Sequence, residues 1–522
     1  MSRLLRLGIG ALGAVALFTF IVTRPQPTPF MPNAPLTSNI RAPEFPTGAD
    51  WLNTDKPLSV RGLKGKIVLL DFWTYCCINC MHVLPDLKKL EETYPNELVV
   101  VGVHSGKFDN ENDTKNIRNA ILRYKITHPV INDPESQVWD EYAVRAWPTF
   151  VLINPNGYIV NQLSGEGHYE VLNRQIAALV TEFKARGELN SSPLKFALEA
   201  AKVEKTPLRF PGKVLADEGT GKLFVADSNH NRIVVSDLTG NVQAVFGSGA
   251  AGLDDGPAAK ATFRNPQGMA LSENGEVLYV ADTDNHAIRA LNLKARTVDT
   301  IAGTGKQAAW RSGGGIGTKA ALASPWDLLR VKNALYVAMA GSHQIWELNL
   351  ATKLIEPSVG NGAEARYDAT LTESALAQPS GLATDGKLLY FADSESSSIR
   401  AVDFGKDIVS TLVGGDANPR NLFAFGDKDG TGFEAKLQHP LGVAFANGKL
   451  YVADTYNHKI KVLEPQSGQI QSLPLNTTFN EPGGISAAGN HLFVADTNSH
   501  KIKVVDLKTN SVSDLTFKNL PN

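Results

Sequence analysis

Lys66-Ile67-Val68-Leu69-Leu70-Asp71-Phe72-Trp73-Thr74-Tyr75-Cys76-Cys77-Ile78-Asn79-Cys80 joins two kinds of pattern at one point. Lys66 to Trp73 is a continuous apolar run of strand length, the pattern of a strand covered on both faces. From Met81 to Tyr94 the apolar spacing becomes helical. Cys77 and Cys80 sit where the strand ends and the helix begins. The free amides and positive end of a helix stabilise a thiolate there, which favours the first cysteine as nucleophile. The second, one turn on, is within reach to close a disulfide and release a mixed-disulfide partner.

Working outward, Leu98 to His104 reads as a second buried strand, Pro129 to Ile131 as a short one, and Asn112 to Tyr124 and Gln137 to Val144 as helices. Thr149 to Ile153 and Tyr158 to Leu163 form a hairpin through Asn154-Pro155-Asn156-Gly157, and Tyr169 to Arg186 a last helix. This order implies a mixed sheet flanked by helices.

Asp71 to Cys80 resembles the thioredoxin active-site segment, and Ala146-Trp147-Pro148-Thr149-Phe150 resembles its cis-proline loop. The resemblance implies that Pro148 follows a cis bond, opposes the nucleophile and presents backbone to a substrate peptide. It implies that Cys77 attacks, that Cys80 resolves, and that Asp71 is the buried carboxylate moving a proton toward Cys80. An exposed strand-end carboxylate is the plainer reading of Asp71. Cys76 stands where the family usually has Trp, and Ile78-Asn79 replaces the common Gly-Pro, so redox potential and partner choice do not carry across. Cys76 either fills the Trp position or joins Cys80 in a Cu(I)-binding C-x-x-x-C pair with His82, His104 or His128. Thr74 to Cys77 also fits a peroxidase-like T-x-x-C, although Leu70 replaces that family's proline. Zinc lacks a second cysteine pair, and c-type haem attachment fails at Met81. No cofactor and no metal ligand set is assigned.

Beyond residue 206 one motif occurs six times, as Leu223 to Asp227, Leu278 to Asp282, Leu335 to Met339, Leu389 to Asp393, Leu450 to Asp454 and Leu492 to Asp496. Each copy follows a Pro-containing turn and precedes a β-branched run, which predicts four short strands per unit and radial closure into six blades. Ala281 to Ile288 and Ala453 to Ile460 resemble the NHL repeat. Recurring histidines (His286, His343, His458, His500) suggest a metal ring, but Asn231 and Ser397 hold the same place elsewhere. A polar side chain bonding the turn backbone accounts for all six. Asp427-Lys428-Asp429-Gly430 lacks the rest of an EF-hand and reads as a loop. The two halves together resemble the NHL-repeat-containing thioredoxin proteins. The fold class expected is multidomain, an α/β thioredoxin-like fold followed by an all-β six-bladed NHL propeller.

At 522 residues the chain needs more than one core. With 51 Lys plus Arg against 53 Asp plus Glu it has no basic field for nucleic acid. Its three cysteines, all within Cys76 to Cys80, are too few for a disulfide framework. Arg3 and Arg6 precede the apolar run Gly8 to Val22, the pattern of a signal peptide or membrane anchor. Bulky Phe18, Phe20, Ile21 and Val22 disfavour cleavage, and secretion after cleavage is the alternative. The segments read are residues 1–24 as signal or anchor, 25–50 as a Pro-rich tether, 51–186 as the thioredoxin-like domain, 187–205 as a linker with Leu194 to Val203 helical, and 206–522 as the propeller. The function expected is a membrane-tethered, extracytoplasmic thiol-disulfide oxidoreductase acting on protein disulfides or dithiols, its propeller binding or positioning a partner. A non-catalytic interaction scaffold and a Cu(I) chaperone are the rivals.

Overall fold

The computed structural model describes residues 39–309 and 312–521. The apolar run near the amino terminus and most of the tether lie outside them. Among the described residues no helix is long and apolar enough to cross a membrane.

The first domain comprises β1 (Trp51–Leu52), β2 (Ile67–Trp73), α1 (Ile78–Thr93), β3 (Leu98–His104), α2 (Thr114–Tyr124), β4 (Val130–Asn132), α3 (Gln137–Glu141), β5 (Thr149–Ile153), β6 (Ile159–Ser164) and α4 (Tyr169–Ala185). Its sheet runs β1-β4-β3-β2-β5-β6, with β2 parallel to β3 and antiparallel to β5. Every residue of β2 and β3 is buried, which is why both strands read as unbroken apolar runs. Helix α1 starts three residues before the apolar spacing does, because Cys77 caps it. Helix α2 starts at Thr114 because the Asp113 carboxylate accepts from Lys115 N at 2.7 Å.

The described end of the segment read as a tether is packed. Ala42 and Phe45 are buried, Ala42 N donates to Gly157 O at 2.9 Å, and Phe45 meets Trp51 edge to face. Much of the stretch read as a linker is docked too: Asn190 N donates to Gly65 O, and Glu199 N to Asn53 Oδ1. Only Glu199–Lys202 within it is helical, as one 3-10 turn.

The rest of the chain is a six-bladed propeller, with blades at residues 214–246, 256–302, 315–359, 379–414, 430–472 and 482–514. Each blade is an antiparallel sheet of four main strands in chain order, three blades carrying an extra two-residue strand. Neighbouring blades are tied by hydroxyls that donate to the next blade's proline carbonyl. Examples are Thr283 to Pro325 at 2.7 Å and Thr455 to Pro482 at 2.8 Å, and Thr497 to Pro211 at 2.9 Å closes the ring. The recurring motif aspartates pair with a basic side chain on the next strand, as in Asp282–Arg289 and Asp393–Arg400, both members buried. The third blade replaces both partners at once, setting Met339 and Trp346 in the core where an ion pair would stand.

The residues at the histidine positions bond across blades rather than within their own turn. Nδ1 of His286, His343, His458 and His500 accepts the backbone N–H of Ser324, Gln378, Glu481 and Phe210 respectively, at 3.0 to 3.2 Å. Asn231 and Ser397 serve Asn265 and His439 alike. All six recipients immediately precede a blade's proline and hold a left-handed φ between 47° and 60°. Such a conformation is uncommon for non-glycine residues and needs an anchoring contact. The result is a ring of six different side chains on one face of the propeller.

Candidate active site

The thioredoxin-like domain sits on that ring. Glu481 accepts from the Tyr75 hydroxyl and from Asn110 Nδ2, both at 3.0 Å, and pairs with Arg123 at 3.3 Å. Ser324 Oγ lies 2.8 Å from His82 Nε2. His439 packs against Phe108 and stacks on Tyr456. The Gln378 side-chain amide donates to Cys76 O at 2.9 Å and accepts from Ile78 N at 3.0 Å. The segment holding the cysteines is therefore bordered by the propeller.

Cys77 is the N-cap of α1, and its Sγ accepts from Cys80 N at 3.4 Å. It is half-buried, whereas Cys76 and Cys80 are buried, and all three are free thiols. Burial, followed by the Cys77 sulfur and the charge of Asp71, pushes the Cys80 thiol well up. Asp71 is fully buried on β2 and neither of its oxygens has a protein hydrogen-bond partner. Burial lifts its carboxyl from 3.8 to about 7, with His128 pulling the other way. The Trp147–Pro148 bond is cis, and Trp147 lines the same cleft as Cys77. Cys77, Cys80, Asp71 and the Pro148 loop thus come together from β2, α1 and the start of β5.

Cys76 lines the same cleft but is buried. Its N–H donates to Glu111 Oε1 at 2.8 Å and its Sγ lies 3.9 Å from Thr74 Oγ1. Burial and the Glu111 and Glu395 carboxylates push its thiol well up. The three histidines considered as Cu(I) ligands are dispersed. His82 bonds Glu166 and Ser324, His104 packs between Trp73 and Tyr75 with burial taking it down to about 3, and His128 lies 3.5 Å from Glu91. Among the described residues no three His, Cys, Asp or Glu side chains are grouped to hold a metal ion. Asp427 and Asp429, the calcium-like pair, both bind Lys461.

The cleft beside Cys77 has a volume of about 230 Å³ and is walled by both domains, with Trp147 and Lys107 on one side and Glu395, Arg420 and Phe423 on the other. Those propeller residues, and Gln378, were not found by sequence reasoning. One signal existed: the residue before each blade's proline differs in all six repeats while its surroundings recur.

A thioredoxin-like α/β domain joined to a six-bladed NHL propeller is the class these features define. Residues 65–159 match the Thioredoxin-like family, and 263–291, 437–463 and 479–505 match the NHL repeat. The chain is homologous to NHL repeat-containing protein 2 of Bos taurus, 44% identical over 85% of this chain and 66% of that protein. It is also homologous to Protein SUPPRESSOR OF QUENCHING 1, chloroplastic, of Arabidopsis thaliana, 46% identical over 83% of this chain and 42% of that protein. The chain thus spans less than two thirds of each. The cysteine-bearing part alone is similar to thiol-disulfide oxidoreductase ResA of Halalkalibacterium halodurans, 32% identical over 21% of this chain and 59% of that protein.

Proposed function

We propose that the chain is a thiol-disulfide oxidoreductase whose propeller forms one wall of the substrate cleft. The observation that carries this reading is half-buried Cys77 at the amino end of α1, its sulfur accepting the Cys80 amide, in one cleft with the Trp147–Pro148 loop. The Cys77 thiolate attacks a substrate disulfide, forming one S–S bond and releasing a substrate thiolate that takes a proton. Cys80, deprotonated toward Asp71, then attacks the Cys77 sulfur, so that the dithiol is oxidised and the substrate reduced by two electrons. The reverse sequence oxidises a substrate dithiol. Similarity to a protein named as a thiol-disulfide oxidoreductase supports the same chemistry. Insulin-disulfide reduction by the whole chain, with dithiothreitol as electron donor, tests it. Turnover that does not depend on Cys77 contradicts it and favours the scaffold reading.

Asp71→Asn provides a check on the proton step. Asp71 gains basicity as pH rises through about 7, so wild-type resolution accelerates across that range. The variant is expected to lose the inflection and resolve on the order of 10- to 100-fold more slowly. Stability moves oppositely. The folded carboxyl holds its proton above the unfolded value, so wild-type stability falls as pH rises from about 4 to about 7, and the variant is spared that fall. Stopped-flow resolution rates and denaturant titrations at several pH values measure the two effects.

The same proposal places the redox part outside the cytoplasm on a membrane tether, supported by Arg3, Arg6 and the apolar run Gly8 to Val22. The full-length chain is expected to stay with membranes in carbonate extraction, and release into the supernatant contradicts an uncleaved anchor.

A further inference from the structure

We propose that Gln378, contributed by the propeller some 300 residues from the cysteines, is a positioning residue for the Cys77 sulfur. The inference rests on the oxidoreductase reading and adds to it a role for the second domain. Ile78 N–H belongs to the first turn of α1 and has no acceptor within the helix. Cys76 C=O lies on the other side of Cys77. One side-chain amide satisfies both, accepting from Ile78 and donating to Cys76, so the two peptide groups flanking Cys77 are held by a single planar group. Gln378 is itself fixed: it is buried, its N–H donates to His343 Nδ1 at 3.2 Å, its carbonyl accepts from Ser380 Oγ at 2.9 Å, and Pro379 follows it.

The hold acts on Cys77 through backbone geometry. With residues 76 and 78 pinned, Cys77 keeps the extended N-cap conformation (φ −79°, ψ 112°) in which its sulfur faces the Cys80 amide. Freed of the amide, the N-cap frays and the thiolate loses that fixed donor. A carboxylate in place of the amide still accepts from Ile78 but cannot donate to Cys76, and it adds a negative charge at the helix end where the thiolate forms. The other charged or titratable side chains lining the cleft with Cys77 are Cys76, Lys107, Glu395, Glu364, Arg420 and His343. Buried Cys80 interacts with Cys77 directly, and the Asp71 charge acts on Cys80. Substitution at 378 alters none of them.

The test is the pH profile of Cys77 alkylation by iodoacetamide, read by mass spectrometry on the full-length chain, with thermal unfolding recorded alongside. Gln378→Glu is expected to raise the midpoint by about one pH unit and slow alkylation at pH 6 about tenfold. Gln378→Leu, uncharged and close in size, is expected to raise it by about half a unit, slowing alkylation about threefold. If the Glu variant does not fold, the Leu variant carries the test. A lowered unfolding temperature with the wild-type midpoint in the folded variants overturns the proposal, since that is what a merely structural contact produces. Wild-type protein whose Cys77 neither alkylates nor exchanges disulfides overturns the oxidoreductase reading as well. Reactive Cys77 with an indifferent residue 378 overturns only this inference.

Discussion

Cys77→Ser is expected to lower disulfide-reduction turnover on the order of 10³-fold or more, because the hydroxyl that replaces the thiolate is a poor nucleophile toward sulfur. Cys80→Ser is expected to lose steady turnover to a similar extent by a different route, stalling after the first exchange. The two losses do not add, since the cysteines act as one unit. Cys76→Ser separates position from composition. Cys76 lines the cleft but is buried, and burial with the Glu111 and Glu395 carboxylates pushes its thiol well up, so its replacement is expected to leave turnover within about threefold of wild type. Turnover assays of the three variants under identical reductant check the ranking, and a Cys76 dependence equal to that of Cys77 would reassign the nucleophile.

Glu395→Ala is expected to destabilise the chain by about 3 to 5 kcal/mol. Lys107 and Glu395 pair across the two domains with side chains only 6% and 5% exposed. Burial opposes the Lys107 charge, but Glu395, together with Cys76 and Glu364, outweighs it and lifts the ammonium to about 12. Burial likewise opposes the Glu395 charge, and Lys107 and His439 outweigh it, holding the carboxyl low. Removing the carboxylate strands the ammonium among Phe108, Phe423 and the cleft wall. A Lys107→Met, Glu395→Leu double variant is expected to recover much of the loss, because it removes both desolvated charges. The signs of the pH dependence follow. Glu395, low in the fold, contributes stability above its unfolded value near 4.5 that is lost as pH falls further. Lys107, high in the fold, contributes below its unfolded value near 10.5, and that share is lost as pH rises through about 12. Denaturant midpoints across that range measure both.

Local patterning made the architecture legible. Unbroken apolar runs marked β2 and β3 because both faces of those strands are covered. Six agreeing copies of one strand motif marked the blades, and a cysteine pair at a strand-helix junction marked the candidate site. What escaped was carried by contacts between residues far apart in sequence. Gln378 reaches Cys76 across 302 positions and Glu481 reaches Tyr75 across 406, and neither has a periodic signature. Phe45 lies in a proline-rich stretch whose composition suggests a spacer, yet it finds an apolar site beside Trp51. The histidines were legible as polar anchors. Their acceptor role toward the next blade was not, because the recipient amide becomes available only when a residue before proline takes a left-handed φ. Met339 was visible as a departure from the repeat. Its meaning emerged from Trp346, which fills the place of the missing base.

The most direct measurement is peptide mapping of the full-length Cys80→Ser chain after incubation with a disulfide-bonded reporter peptide. The predicted result is one reporter linked to Cys77, released by dithiothreitol and absent when Cys77 is also serine. Reporter attached to Cys76, or a yield indifferent to residue 77, would contradict the account.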